Sequence, residues 1–374
     1  MRSTPHPPTP EVARLLDALA GVRAAGGRAA LATVVRVRGS AYRREGTRML
    51  VRPDGTYECA LSGGCLEPAV AAAAARVIAT GDPVVVTYDL ADDSVWSLNI
   101  GCSGAVDIRI ERVDDDETTQ AWLDVLARGE AAVRITPLAG ASGQRIVRRS
   151  GATSGHLSRD LEPAADARAA AILAMPRPAS LTASVAGAEL FFEVSEPLPE
   201  LFVFGAGHDA VPLVTQAAAA GFAVTVVDPR AAFLRTDLFS GARLVLAGFD
   251  ALAAAVSLPA GAFALVMSHH LERDRQALEF CLRADLFYVG VLGPRARFER
   301  LAADLEHAGG VPPAALARVH SPVGLSLGAE TPEEVAVSIV AELVAVRRGF
   351  AGGFLRGTTA SLHRPAASLS MARS

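Results

Sequence analysis

Two sets of residues in this chain have the types and spacing to do chemistry. The first holds two cysteines embedded in glycine, in Ser62-Gly63-Gly64-Cys65-Leu66-Glu67 and in Asn99-Ile100-Gly101-Cys102-Ser103-Gly104. Two glycines before a helix start expose successive backbone N–H groups, an arrangement that cradles anions. A thiol on the first helical turn has its thiolate favoured by the helix dipole. Thiolate softness suits a soft metal, a sulfido group or persulfide chemistry. Cys65 and Cys102 are therefore the candidate metal ligands, against the blander reading of small residues buried at tight turns. A zinc site of the C-x-x-C kind is excluded by the spacing and by the lack of nearby histidines. Cys59 and Cys281 lie in apolar runs and read as packing residues.

The second set begins where the apolar run Leu201-Phe202-Val203-Phe204 enters Gly205-Ala206-Gly207-His208-Asp209-Ala210. Gly-x-Gly-x-x-Ala between a strand and a helix brings backbone N–H groups against a pyrophosphate, and the small third residue lets helix and strand pack closely. A second apolar run, Ala223 to Val227, ends in Asp228, about 20 residues past the glycines, where an acid accepts from a ribose hydroxyl. Arg230 follows. Met267-Ser268-His269-His270 closes a later strand, and Tyr288-Val289-Gly290-Val291-Leu292-Gly293-Pro294-Arg295 closes the next. Such strand ends line the ligand crevice of a parallel sheet. Adjacent histidines on a strand point to opposite faces, so at most one of His269 and His270 is expected to face the site. The run Arg38 to Arg44 concentrates planar forks suited to phosphate, or forms a solvated loop.

These sites need elements to hold them. Thr9-Pro10-Glu11 opens a helix, Ala29–Val37 and Arg48–Arg52 read as strands, Leu66–Ala79 as an Ala-rich helix, and Val84–Tyr88 and Val106–Glu111 as further strands. Residues 9–115 thus form an N-terminal α+β domain. Residues 116–198 are expected to be an appendage or connector completing it, with Gly151–Pro163 a loop. From Leu201 strands and helices alternate, which predicts a Rossmann-like, doubly wound parallel sheet over 199–348, an α/β fold. Thr331-Pro332-Glu333-Glu334 starts a long helix with two apolar stripes, facing the sheet or a second copy of the chain. Residues 349–374 read as a flexible tail.

Composition removes several function classes. The 374 residues carry a net charge of −4, which gives no electrostatic case for nucleic acid or anionic membrane. All 36 basic residues other than histidine are arginine, so Schiff-base and P-loop lysines are excluded. The uncharged runs Ala210–Val227 and Ala251–Ser268 are broken by Pro and Gly and do not read as membrane spans. Four cysteines are too few for a disulfide scaffold and imply a cytoplasmic, reducing location.

Taken in order, these runs resemble one family, the xanthine dehydrogenase accessory proteins XdhC/CoxI. The likeness runs through Ala32-Thr33-Val34-Val35, Gly39-Ser40, Met49-Leu50-Val51, Ser62 to Glu67 and Ile100-Gly101-Cys102. It continues through Gly205 to His208, Val227-Asp228-Pro229-Arg230, Ser268-His269, Tyr288 to Gly293, His320-Ser321-Pro322-Val323-Gly324 and Gly328 to Glu334. The chain departs from the family pattern at Tyr42, Cys59-Ala60, Ser103, His270, Pro294 and Ser326. The resemblance implies an accessory protein rather than the hydroxylase itself. It would bind the molybdenum cofactor, as molybdopterin or its dinucleotide form, support its sulfuration with a cysteine desulfurase as donor, and insert it into a molybdenum hydroxylase such as xanthine dehydrogenase. The expected cofactor-binding residues are Ser62, Gly63, Gly64, Cys65, Glu67, Gly101, Cys102, Gly205, Gly207, His208, Asp228, Arg230, Ser268, His269, Gly290 and Gly293. NAD(P) or another nucleotide in the crevice, and a homodimer, are further expectations. The alternatives are an NAD(P)-dependent oxidoreductase with His269 as acid/base and a dinucleotide-sensing regulator.

Overall fold

A computed structural model of the chain describes residues 7–39, 41–89, 104–139 and 143–357. The chain divides into two units, residues 1–197 and 198–374. In the first unit helix α1 (Pro10–Ala24) starts where the Thr9 hydroxyl accepts from the Val12 N–H at 3.2 Å. Such a cap stabilises a helix by about 1 kcal/mol. Strands β1 (Ala30–Gly39), β2 (Arg48–Val51) and β3 (Tyr57–Glu58), helix α2 (Glu67–Thr80), and strands β4 (Val84–Asp89) and β5 (Gly104–Arg112) follow. The strands form an antiparallel sheet of order β3-β2-β1-β5-β4. Period-two alternation in β1 sends Ala30, Ala32 and Val34 to the Val70, Ala74 and Val77 face of α2. Leu31 goes the other way, to Leu15, Leu19 and Val22 of α1.

Residues 117–195 build a second antiparallel sheet. It comprises α3 (Glu117–Ala127), β6 (Ala132–Pro137), β7 (Gln144–Arg148), β8 (Thr153–His156), α4 (Glu162–Leu173), β9 (Leu181–Val185) and β10 (Ala188–Ser195), in strand order β8-β7-β6-β10-β9. Residues 153–156, expected within a loop, pair antiparallel with β7 from Gln144↔His156 to Val147↔Thr153. One face packs Val133, Ile135, Leu190 and Phe192 against α4. The other buries charge: Arg134 donates to Glu193 at 2.7 Å and reaches Glu111 at 3.0 Å, and Arg48 also pairs with Glu193. Burial pushes the Glu193 carboxyl up, but Arg134 and Arg48 outweigh it and hold it below the usual range.

The second unit is the expected α/β fold. Strands β11 (Glu200–Phe204), β12 (Ala223–Asp228), β13 (Arg243–Leu246), β14 (Phe263–Val266) and β15 (Tyr288–Val291) are all parallel, in order β13-β12-β11-β14-β15. Between and after them run α5 (Ala210–Ala219), α6 (Leu252–Ala255), α7 (Leu271–Leu282), α8 (Arg295–Ala308), α9 (Pro313–Leu316) and α10 (Pro332–Arg348). Core clusters cover both sheet faces, one around Phe204, Val266, Leu278 and Leu301, the other around Val203, Leu213, Phe222 and Leu343. The apolar stripes of α10 are spent here: Ala336, Ile339 and Leu343 are buried, and Val335, Val340 and Val344 pack beside them. The wide face from which a contact with a second copy was expected is thus largely covered by the chain's own core. Strand order reverses between β11 and β14, and ligands of such sheets bind beyond the carboxyl ends of the strands at that point. Among the described residues no helix is long and apolar enough to cross a membrane.

Candidate functional site

Beyond β11 and β14 lies an open cleft of about 460 Å³ lined by Gly207, His208, Asp209, Arg230, Phe233, Ser268, His269 and Pro332. Its floor is the Gly-x-Gly turn. Gly205 sits at φ +123°, and a Cβ there would lie 2.6 Å from the Met267 carbonyl oxygen, so only glycine lets the ends of β11 and β14 approach this closely. The Gly205 N–H donates to the Val227 carbonyl at 2.9 Å, and the Ala206 N–H donates to the Asp228 carboxylate at 2.8 Å. The next three N–H groups, of Gly207, His208 and Asp209, are taken up by no hydrogen bond among the described residues. Three successive free donors before α5 make an anion cradle.

Asp228 supports this cradle from beneath. It is fully buried and accepts from Ala206 N–H, Arg230 N–H, Arg230 Nε and Arg230 Nη2 at 2.8–2.9 Å. Burial raises its pKa, but the Arg230 guanidinium and the two N–H groups outweigh burial and hold the carboxyl below the usual carboxylate range. Accepting from a ribose, the role suggested by spacing, would first require Arg230 to leave. Arg230 itself lies 3.8 Å over the Phe233 ring.

His269 adopts a left-handed backbone, φ +59°, and its Nε2 lies 2.7 Å from Asp209 Oδ2. The alternation argument for the two histidines does not apply, because β14 ends at Val266. His270 instead caps α7. Ser268 is buried, and both its N–H and its hydroxyl donate to Asp274, at 3.0 and 2.6 Å. Arg297 closes the same carboxylate from the other side. Gly293, at φ +124°, makes room for Arg297, and a Cβ on Gly290 would meet Val323 and Leu265. These two glycines serve packing and do not line the cleft. Sequence reasoning missed Asp209, Phe233 and Pro332 as cleft residues. Asp209 had a signal in its place immediately before the helix.

In the first unit the Ser62–Glu67 loop is organised from within. Glu67 is fully buried and accepts from the N–H groups of Leu61 (2.9 Å) and Ser62 (2.7 Å) and from the Ser62 hydroxyl (2.6 Å). The Ser62 Oγ in turn accepts from the N–H groups of Gly64, Cys65 and Leu66, each at 3.2 Å. The donors expected to cradle an anion are thus turned onto a serine. Cys65 precedes the helix instead of lying on its first turn: Leu66 is the cap, and Glu67 and Pro68 are the first helical residues. Its thiol, half-buried, lies 3.3 Å from Ser62 Oγ. Gly101 and Cys102 lie outside the described residues, and among those described no group of three or more His, Cys, Asp or Glu could hold a metal ion. Cys59 is half-buried at φ +65°, and Cys281 is fully buried among core residues. The arginines of 36–43 are spent on carboxylates: Arg38 forks onto Asp107 at 2.7 and 2.8 Å, Arg36 reaches Asp107 and Glu189, and Arg43 pairs with Glu11.

The arrangement has relatives. A Bacillus subtilis protein described as a probable xanthine dehydrogenase subunit is 34% identical over 329 residues, 86% of this chain and 93% of that protein. The chain belongs to the XdhC and CoxI family. The XdhC and CoxI family model matches residues 22–89, and the XdhC Rossmann domain model matches 201–343. The first span contains the Ser62–Glu67 loop and the second every residue around the anion cradle. A molybdenum cofactor insertion chaperone of Escherichia coli, PaoD, is 25% identical over 85% of this chain and 83% of its own length. A crystal structure described as a xanthine dehydrogenase from Bacillus halodurans superposes with a TM-score of 0.74 at 30% identity, covering 91% of this chain and 96% of that one.

Proposed function

We propose that this XdhC/CoxI family member is an accessory protein that binds the molybdenum cofactor, supports its sulfuration and inserts it into a xanthine dehydrogenase-type hydroxylase. The observation that carries this reading is the turn at Gly205–Gly207. Its three unengaged N–H groups open into a cleft large enough for a phosphate-bearing ligand. The phosphate or diphosphate of a pterin cofactor is accommodated there once the Asp209 side chain, whose Oδ1 lies 2.6 Å from where a Gly207 Cβ would stand, turns aside, since Gly207 itself puts no Cβ in the way. The cofactor is cargo here. Cys65 supplies the soft thiol in a glycine loop that Glu67 and Ser62 hold in shape. The likeness to a cofactor insertion chaperone supports the same reading.

An NAD-dependent oxidoreductase is less well supported, because Asp228 has no lone pair left for a ribose diol. The test is reconstitution. The chain, purified from a molybdenum-replete host with a cysteine desulfurase present, is mixed with a cofactor-free xanthine dehydrogenase-type hydroxylase. Hydroxylase activity rising with added chain, and failing to rise with Cys65→Ser, supports the proposal. Activity unchanged by the chain at any ratio opposes it.

A further inference from the structure

The end of β12 is built unlike a site that reads a ribose diol. Diol recognition needs a carboxylate with free lone pairs facing the ligand. Asp228 offers about four acceptor positions, and four donors already fill them: Ala206 N–H, Arg230 N–H, Arg230 Nε and Arg230 Nη2. What faces the cleft instead is the outer edge of Arg230. Its side chain is 34% exposed, and its Nη1 makes no hydrogen bond among the described residues. Phe233 lies against one face of the guanidinium with 3.8 Å between guanidinium carbon and ring centroid, and both residues line the same cleft as Gly207. The fork is therefore fixed in orientation on two sides, by a carboxylate and by an aromatic ring, and its remaining donors are left in the plane that suits phosphate.

We infer that Arg230, anchored by Asp228 and stacked on Phe233, forms a phosphate-monoester subsite at the edge of the cleft. The inference rests on the reading that the cleft binds a phosphate-bearing ligand, and it adds that this ligand carries an anionic group at the β12 end. The monoester has two possible sources, the terminal phosphate of a pterin or a phosphate on a nucleotide's ribose. Losing one charge-assisted contact of this kind weakens binding about 10- to 100-fold.

The experiment titrates the full chain with adenosine, with AMP and with adenosine 2′,5′-bisphosphate by calorimetry, and measures the pterin that co-purifies from a molybdenum-replete host. The variants are Arg230→Gln, Arg230→Lys and Phe233→Ala. Phe233→Ala leaves the buried Asp228–Arg230 pair intact and keeps the test readable if Arg230→Gln does not fold. A ribose-phosphate source predicts at least a tenfold preference for the bisphosphate over AMP. That preference collapses in Arg230→Gln, survives in part in Arg230→Lys and weakens in Phe233→Ala. A pterin source predicts that no adenosine probe binds while co-purified pterin falls in Arg230→Gln and Phe233→Ala at unchanged Tm. Equal binding of AMP and the bisphosphate, with wild-type pterin content in folded variants, overturns the inference and leaves the cofactor reading standing. Adenosine, which carries no phosphate, binding as tightly as AMP and being lost equally in Arg230→Gln also overturns it, in favour of base stacking. A wild-type chain that carries no pterin and binds none of the probes overturns both.

Discussion

The two glycines of the Gly205–Gly207 turn have different jobs, and alanine at each should separate them. At Gly205 a methyl group would need φ near +123° and would sit 2.6 Å from the Met267 carbonyl oxygen and 2.8 Å from Ser268 Cα. Backbone strain of that kind costs about 1–3 kcal/mol, and forcing two backbone segments apart costs about 1–3 kcal/mol more. A total of about 4 kcal/mol should lower the Tm of a unit of this size by about 8–16 °C. At Gly207 the methyl would meet only Asp209 Oδ1, at 2.6 Å, a side-chain end able to turn away, with His269 Cδ2 in ordinary contact at 3.8 Å. The cost is at most the Asp209–His269 pair, worth about 0–1 kcal/mol in its partly exposed setting, or at most about 4 °C. The same methyl occupies the space a phosphate must enter, so affinity should fall about 10- to 100-fold. The assays are differential scanning calorimetry and titration with the isolated cofactor. Gly207→Ala with native Tm and native affinity would refute the cradle, and Gly205→Ala with native Tm would refute the close-approach argument.

Further outcomes follow from the same geometry. Cys65, half-buried, should be alkylated by iodoacetamide in the native chain. Cys281, whose thiol burial pushes up, should react only after unfolding, and equal rates in peptide mapping would contradict the assignment. Glu67→Gln removes the charge that three donors hold and should cost about 2–4 kcal/mol, with faster proteolysis at residues 61–66. A wild-type urea midpoint and cleavage rate would show that Glu67 does not organise the loop. Asp228 and Glu342 are both pushed up by burial. Arg230 and the Ala206 and Arg230 N–H groups outweigh this at Asp228, as His320, the Gly324 N–H and the Tyr288 hydroxyl do at Glu342, leaving both carboxyls below the usual range. Their folded pKa lies below the unfolded one, so their contribution is complete above about pH 5, clear of the unfolded values, and is lost as the pH falls through the folded ones. Urea midpoints from pH 7 to pH 3 should drop on that limb, and should drop less steeply in Asp228→Asn. An identical slope would count against the pairing.

The strand, glycine turn, helix and second strand of the Rossmann unit were legible because apolar runs and glycine positions encode them locally. The role of Asp228 was not, since spacing places the carboxylate but does not say whether it faces a ribose or folds back on Arg230. Gly290 and Gly293 looked like ligand glycines because they sit at a strand end, yet Gly290 makes room for Val323 and Leu265, from elsewhere in the chain, and Gly293 for Arg297, one helical turn on. Strand β8, Thr153-Ser154-Gly155-His156, has no apolar alternation to reveal it, since it is an edge strand held by backbone pairing to β7. Arg134 and Glu193 gave no sign of burial either, because only their partners on other strands make that burial tolerable. The Ser62–Glu67 loop was recognised by its composition. Its internal wiring, a serine hydroxyl filling the glycine N–H groups, depends on Oγ placement that residue types do not specify.

If this chain carries the molybdenum cofactor in its glycine cleft, as we propose, the protein should hold it when isolated. The chain and its Gly207→Ala variant would be purified without oxygen from a molybdenum-replete host, then assayed for oxidised pterin fluorescence and for molybdenum by mass spectrometry. Pterin and molybdenum should be present in near-equal amounts on the wild-type chain, and both should be lost from the variant at closely similar Tm. A wild-type chain free of pterin, or a variant that retains all of it, would show that the cleft does not carry the cofactor.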